Sequence, residues 1–376
     1  MKNRRYDYDV LRVLSMLGVV YLHTAAGSLR SFSYHSLWNF SNLITVMVTP
    51  AVPLFLMMSG ALLLNEEKTS DLTQLFRRRI PKVLVPLLCW SAVVLCYDFL
   101  RGDPQVTLTS LTRLLNTPVV VPYWFLYALI PMYLITPLLK AMTDHLTGRQ
   151  WDYMIALWAI LTLGLYTVRS FVPDSWELVF TEHWTLNLNM IGGYLGYFLL
   201  GAYLERWEKL PSKKVLAGAV ALLVAFAAVG TWWDTYDKMM YSDRFTNYLT
   251  LFTMALSVSI FLLAKACLRG REEKGKLLPL LAGNSFCVYL LHPLVLRVGE
   301  KLWTRFTGLL GPANIGQQVF FYLCIAGSCI IGSIVLSSIP VVCYLFTGQT
   351  WAAACQSSNL QAIFRRKKAD GGLDKG

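Results

Sequence analysis

Residues 10–28 read VLRVLSMLGVVYLHTAAGS, nineteen positions interrupted by a single charge, Arg12. A helix of about 20 residues, rising 1.5 Å at each, crosses the hydrocarbon core of a bilayer. Nine further apolar blocks follow, at 41–64, 80–100, 122–141, 151–172, 187–206, 214–233, 246–268, 277–298 and 315–346. Hydrophobic residues make up 55% of the 376, charged residues only 15%, and the mean hydropathy is +0.48. A soluble chain of this length needs far more charge to cover its surface. The expected fold is an all-α integral membrane bundle of about ten transmembrane helices. The last block is too long for one straight crossing and contains Pro340, so a tilt, a kink or an interfacial extension is expected there, for ten or eleven segments in all.

The net charge of +12 is a topology signal and not a nucleic-acid footprint. With the N-terminus inside, 25 of the 34 Lys and Arg fall on the inner side of the ten-span arrangement and nine on the outer. The nine are Arg30, Arg101, Arg113, Arg169, Lys238, Arg244, Arg297, Lys301 and Arg305. The positive-inside rule therefore places both termini in the cytoplasm of a multi-pass cell-membrane protein. Lys2, Arg4 and Arg5 ahead of an apolar run mimic a signal peptide, but Asp7, Asp9 and Arg12 intrude where its apolar core should begin, so the segment reads as an uncleaved first span. The eight cysteines lie in spans or on the inner side with no metal-ligand spacing, so neither disulfides nor a metal are expected.

The connections are short. The segment 101–121 carries Leu108, Leu111, Leu114 and Leu115 at helical spacing, as expected of a helix lying along the outer surface. Loops 170–186 and 234–245 carry Asp, Glu and Trp, which suit either a polar acceptor or interfacial anchoring, and anchoring is the plainer reading. Residues 1–350 form the transmembrane domain, and 351–376 a basic tail ending in Arg365-Arg366-Lys367-Lys368, which suits the inner leaflet.

Ionisable groups in spans are costly, so each needs a partner or a task. Asp9 and Arg12, three apart, share a helix face, either as an interfacial ion pair or as part of a site. His23 lies eleven residues beyond Arg12 on that same face, roughly 16 Å further along the axis. In the ninth block Ser285, Tyr289 and His292 form a polar stripe at i, i+4, i+7. His23 and His292 stand about 14 and 15 residues above the starts of two spans running inside to outside, hence at similar depth. Imidazoles titrate near neutral pH, so the pair points to proton transfer. The second block carries Pro53, Phe55, Ser59 and Gly60; the third opens on Arg77-Arg78-Arg79-Ile80-Pro81-Lys82 with Pro86. Such a basic cluster suits phosphates, although inner-face anchors look alike from charge alone.

Taken in order, these stretches resemble the bacterial membrane-bound acyltransferase 3 family across nearly the whole chain. The resemblance rests on Asp9, Arg12 and His23, on Pro53–Gly60, on Arg77–Lys82 with Pro86, on Tyr123-Trp124-Phe125-Leu126, on Tyr197-Phe198-Leu199-Leu200-Gly201, and on Ser285, Tyr289 and His292-Pro293. It implies O-acylation of an extracytoplasmic glycan or lipid-linked sugar, most often acetylation with acetyl-CoA as donor. The chain resembles the short members, without a fused outer esterase-like or racemase domain. By this resemblance Asp9, Arg12, His23, Tyr289 and His292 are expected to be catalytic. His23 would act as general base or transient acyl carrier, with Tyr289 and His292 orienting it or polarising the thioester carbonyl. Arg77, Arg78, Arg79, Lys82 and Ser59 are expected to bind acyl-CoA. A proton-coupled carrier of an amino acid or sugar is the alternative, because it too uses buried His, Arg and Asp. A non-catalytic scaffold would leave the polar stripe without a purpose.

Overall fold

The structure is a computed structural model that describes residues 5–31, 35–101, 104–173, 175, 176, 179, 192–272 and 275–349. The tail 351–376 lies outside the described residues, as do most of the 170–186 loop and the start of the 187–206 block. Among the described residues the regular elements are helices: α1 (Tyr6–Arg30), α2 (His35–Val48), α3 (Ala51–Leu63), α4 (Leu72–Leu100), α5 (Pro104–Thr112), α6 (Trp124–His145), α7 (Gly148–Phe171), α8 (Gly193–Glu205), α9 (Lys213–Lys238), α10 (Leu251–Leu268), α11 (Leu277–Thr307), α12 (Ile315–Ser338) and α13 (Pro340–Thr347). Nine stretches among the described residues are long and apolar enough to cross a membrane, with α2 and α3 counting as one. The protein is an all-α multi-pass membrane protein.

Three of the departures from the hydropathy boundaries have a clear local reason. Helix α4 begins at Leu72 and not at 80, because Asp71 caps it by accepting from the Thr73 and Gln74 amides at 2.8 and 3.4 Å. The helix then carries Arg77–Arg79 through a π turn, Leu75–Arg79. Helix α11 continues nine residues past 298 to Thr307, since Arg297, Lys301 and Arg305 end the apolar run without ending the helix. The last block divides into two helices at Ile339, which is extended (φ −104°, ψ 116°), and Pro340 then opens α13.

The chain forms two compact units. The first comprises Met1–Ser70, Thr136–Pro279 and Leu309–Tyr322; the second comprises Asp71–Ile135, Leu280–Gly308 and Leu323–Gly376.

In the first unit α3 and α8 cross at glycines. A Cβ on Gly60 would sit 1.7 Å from the Phe198 carbonyl oxygen, and one on Gly201 2.0 Å from that of Met57. Only hydrogen at both positions permits backbone contact this close, the small-residue mode of packing in membranes. Polar contacts tie helix ends together and so fix the alternation of direction. Glu205 at the end of α8 accepts from Arg5 (2.7 Å) and Tyr8 (2.7 Å) at the start of α1. Buried Lys265, on the last turn of α10, donates to the carbonyls of Leu204 (2.9 Å), Glu205 (2.7 Å) and Trp207 (2.8 Å). One lysine thus satisfies the carbonyls that the end of α8 would otherwise leave exposed. At the opposite end, Ser28 on the last turn of α1 donates to Gln318 on the first turn of α12 (3.0 Å). Also at that end, His35 opening α2 meets the Tyr236 hydroxyl near the end of α9 (2.8 Å).

In the second unit α11 is clasped to the start of α6 by two reciprocal bonds. The Tyr123 hydroxyl donates to the Leu290 carbonyl (2.8 Å), and the Tyr289 hydroxyl donates to the Pro122 carbonyl. Trp90 on α4 donates to the Phe346 carbonyl of α13 (3.0 Å). Gly348, at the end of α13 with φ 71°, lies so close to the Lys82 carbonyl that a Cβ would approach it to 2.7 Å. That carbonyl is exposed to such an approach because Pro86, four residues on, has no N–H to offer it.

Candidate functional site

The ten residues singled out from the sequence divide between the units. Asp9, Arg12, His23 and Ser59 belong to the first; Arg77, Arg78, Arg79, Lys82, Tyr289 and His292 belong to the second.

Helix α1 holds Asp9 and Arg12 together, with Nη1 3.3 Å from Oδ1. The carboxylate is buried, at 2% side-chain exposure, whereas the arginine side chain keeps 35%. A buried carboxylate leashing a part-exposed guanidinium leaves most of the fork's five N–H groups available to another anion. His23 is half-buried eleven residues further along the helix. Ser59 is half-buried on α3, next to the glycine that touches α8.

In the second unit, Arg77 and Arg78 are exposed, Arg79 is half-buried and Lys82 is exposed. All four occupy the π turn and first regular turns of α4, with Pro81 between them. An anion reaching this cluster would meet guanidinium forks and one ammonium, the donor set that phosphates favour.

His292 is 1% exposed and followed by a proline inside α11. Pro293 cannot donate the amide hydrogen bond that the Tyr289 carbonyl would receive in an uninterrupted helix. The Nδ1 of His292 bonds to that same carbonyl. A carbonyl oxygen only accepts, so Nδ1 carries the hydrogen, and in the neutral ring Nε2 carries the lone pair. The His-Pro dipeptide therefore selects the tautomer. The Tyr289 and His292 rings lie 5.6 Å apart, and Phe125 meets the Tyr289 ring edge-on at 5.8 Å. With its proton on the Pro122 carbonyl, the Tyr289 phenol holds the backbone around His292 in place. Ser285 donates to the Ala282 carbonyl (2.9 Å) one turn below.

Sequence reasoning missed Pro122 and Tyr123 as supports of this arrangement, Gly348 as the neighbour of the Lys82 carbonyl, and Lys265 as a helix-end clamp. Tyr123 and Pro293 fell within quoted stretches, but their work is done through backbone carbonyls, which side-chain spacing does not reveal. Lys265 looked like one more inner-face cation. Among the described residues no three His, Cys, Asp or Glu side chains gather as a metal site would require.

A family profile described as an acyltransferase domain matches residues 5–338. Two relatives from Staphylococcus epidermidis, one of them from strain RP62A, carry the name "Probable poly-beta-1,6-N-acetyl-D-glucosamine export protein". Each is 30% identical over 168 residues, which is 42% of this chain and 43% of the relative, so the match spans less than half of either protein. No solved structure matches. With the profile covering nearly its whole length, the chain belongs to the acyltransferase 3 family.

Proposed function

We propose that the protein is an O-acetyltransferase that moves an acetyl group from cytoplasmic acetyl-CoA to a hydroxyl of an extracytoplasmic glycan or lipid-linked sugar. The observation that carries the reading is the acyltransferase domain match over 5–338, in a chain whose buried His292 has its tautomer set by Pro293. The polysaccharide named for the relatives supports a glycan as acceptor. Arg77, Arg78, Arg79 and Lys82 bind the CoA phosphates on the cytoplasmic side.

In the reaction the acceptor oxygen bonds to the acyl carbon, the carbon–sulfur bond breaks, and the hydroxyl proton ends on the CoA thiolate. His23 is the general base that carries this proton. Tyr289 acts as a positioning residue, because its own proton is committed to the Pro122 carbonyl. In its neutral form His292 carries a lone pair and no N–H at Nε2, so it does not polarise the thioester carbonyl.

The test uses purified protein in proteoliposomes with acyl-labelled acetyl-CoA, comparing wild type with His23→Ala while following CoA release and the fate of the label. Loss of turnover in a folded His23 variant supports the assignment, whereas acyl-histidine on trapped enzyme would replace the general-base role with a covalent route. Neutralising Arg77–Arg79 should raise the apparent KM for acetyl-CoA, and an unchanged KM would remove them from the donor site.

The word "export" in the relatives' name favours a second reading, a carrier of a glycan, amino acid or sugar. Counter-flow of labelled substrate without any acyl donor would establish it.

A further inference from the structure

The α4 end at Leu100 and the neighbouring stretch of α11 lie on the side that the positive-inside count assigns to the outer face. Cations are the minority there, yet three cluster at these two helices. Arg101, just past α4, donates from Nη1 to the Tyr97 hydroxyl at 3.1 Å. Lys301 on α11 donates from Nζ to that same oxygen at 2.8 Å. Both also lie over the Tyr97 ring, with Arg101 Cζ 5.6 Å and Lys301 Nζ 5.0 Å from its centre. Arg297, one turn before Lys301, pairs with Asp98 at 3.1 Å.

Two charges thus converge on one neutral phenol oxygen. Asp98 is already engaged by Arg297, and among the described residues neither Arg101 nor Lys301 meets a carboxylate at ion-pair distance. Glu300, exposed and adjacent to Lys301 in sequence, is the other acid of the α11 stretch; Asp103 lies outside the described residues. Arg101, Arg297 and Lys301 against Asp98 and Glu300 leave the described cluster with surplus positive charge. Like charges held side by side repel, and a phenol oxygen does not neutralise them. Yet the ring aligns them: each spends one N–H on Tyr97 and keeps the others, four on the guanidinium and two on the ammonium. An anion with several oxygens, approaching from the headgroup layer, accepts from both at once.

We propose that Arg101 and Lys301, aligned by Tyr97, form a binding site for the phosphate group of an outer-leaflet amphiphile. Phosphate fits better than carboxylate, because its tetrahedral oxygens reach two separate donors that converge on one phenol oxygen. The level fits as well, since residues ending two spans stand where lipid phosphates lie. The amphiphile's apolar chain keeps it in the bilayer, and the site contributes the headgroup contacts. This inference does not depend on the acetyl-transfer reading.

Native mass spectrometry of the detergent-purified full chain tests it, with dioleoyl phosphatidic acid as probe. The wild type should retain the lipid, and the paired change Arg101→Gln with Lys301→Gln should weaken retention about tenfold or more, as expected for losing two charge-assisted bonds. The charge-keeping pair Arg101→Lys with Lys301→Arg should hold retention within about threefold, which separates loss of the site from loss of the fold. Oleate, anionic but without phosphate, should bind at least about tenfold more weakly than phosphatidic acid. Equal retention by wild type and the Gln pair would overturn the proposal, as would oleate binding as tightly as the phospholipid. Displacement of the lipid by millimolar inorganic phosphate would assign the site to the free anion and refute the amphiphile as its ligand.

Discussion

Replacing Pro293 by alanine should make the protein more stable and a poorer catalyst at once. A proline inside a helix costs about 3 kcal/mol relative to alanine, mainly through the lost hydrogen bond and the ring's clash with the preceding turn. Here part of that cost is already offset, because His292 Nδ1 supplies the Tyr289 carbonyl with a substitute donor. A neutral hydrogen bond of this kind contributes about 1 kcal/mol net. Pro293→Ala returns a backbone N–H to the position that faces the carbonyl, so the expected gain in stability is about 2 kcal/mol. The imidazole now shares or loses its acceptor, and its tautomer preference weakens by up to that same ~1 kcal/mol, about fivefold in the ratio. If acyl transfer needs a lone pair at Nε2, turnover falls by a factor of about five or less. The chain has only five histidines, so protein labelled with ¹⁵N-histidine can be assigned by single substitutions. Nitrogen shifts then report which ring nitrogen of His292 bears the hydrogen, independently of activity. Finding the hydrogen on Nε2 in the wild type, or the same tautomer ratio in both proteins, would refute the reasoning.

Three other outcomes follow from the fold. Gly60→Ala places a methyl group 1.7 Å from the Phe198 carbonyl oxygen, so α3 and α8 must part; a loss of about 3 kcal/mol or more is expected in thermal unfolding in detergent, against little change for Gly218→Ala, whose Cβ meets nothing within 4 Å. Lys265→Met removes all three donors from the end of α8 and should cost about 3 kcal/mol, read as a lower unfolding midpoint, whereas Lys265→Arg should recover part of it. Topology is checked by cysteine labelling in intact cells: a membrane-impermeant maleimide should modify Asp243→Cys in the α9–α10 connection and spare Arg271→Cys in the α10–α11 connection, and the reverse pattern would invert the orientation.

Hydropathy was enough to find the spans because it reports the property that the bilayer selects. It failed where a helix is shaped by something else. Asp71 starts α4 eight residues before the apolar run, and a π turn then carries three arginines that hydropathy assigns to a loop. Charged residues on the last turns of α11 end the apolar signal but are good helix formers, so the helix outlasts its hydrophobicity. Pro340 announced a disturbance in the last block, but whether proline kinks or divides a helix depends on the backbone of the preceding residue, and Ile339 is extended. The glycine crossing of α3 and α8 was present in the sequence as Gly60 and Gly201, two of 25 glycines. Only the partner backbone lying against each makes it irreplaceable.

The candidate site was legible as residue types and depths, and illegible as chemistry. Counting from span starts set His23 and His292 at similar depth, and no count distinguishes a ring nitrogen that donates from one that accepts. The missing information lay in Pro293, which reads as a helix defect when helix propensity alone is considered. Its effect is to leave one carbonyl without its normal donor, in a medium where an unsatisfied polar group costs several kcal/mol. The nearest donor able to take the place is the preceding imidazole, which must then present Nδ1–H inward and Nε2 to whatever lies beyond. Lys82 and Pro86 repeat the arrangement on α4, where the carbonyl stripped of its helix donor faces Gly348 so closely that a Cβ there would approach it to 2.7 Å. A proline four residues after a residue of interest therefore acts on that residue's carbonyl. In a membrane, where water is not at hand to replace the lost bond, whatever side chain or backbone fills the gap is held there by the same energy that makes the gap costly.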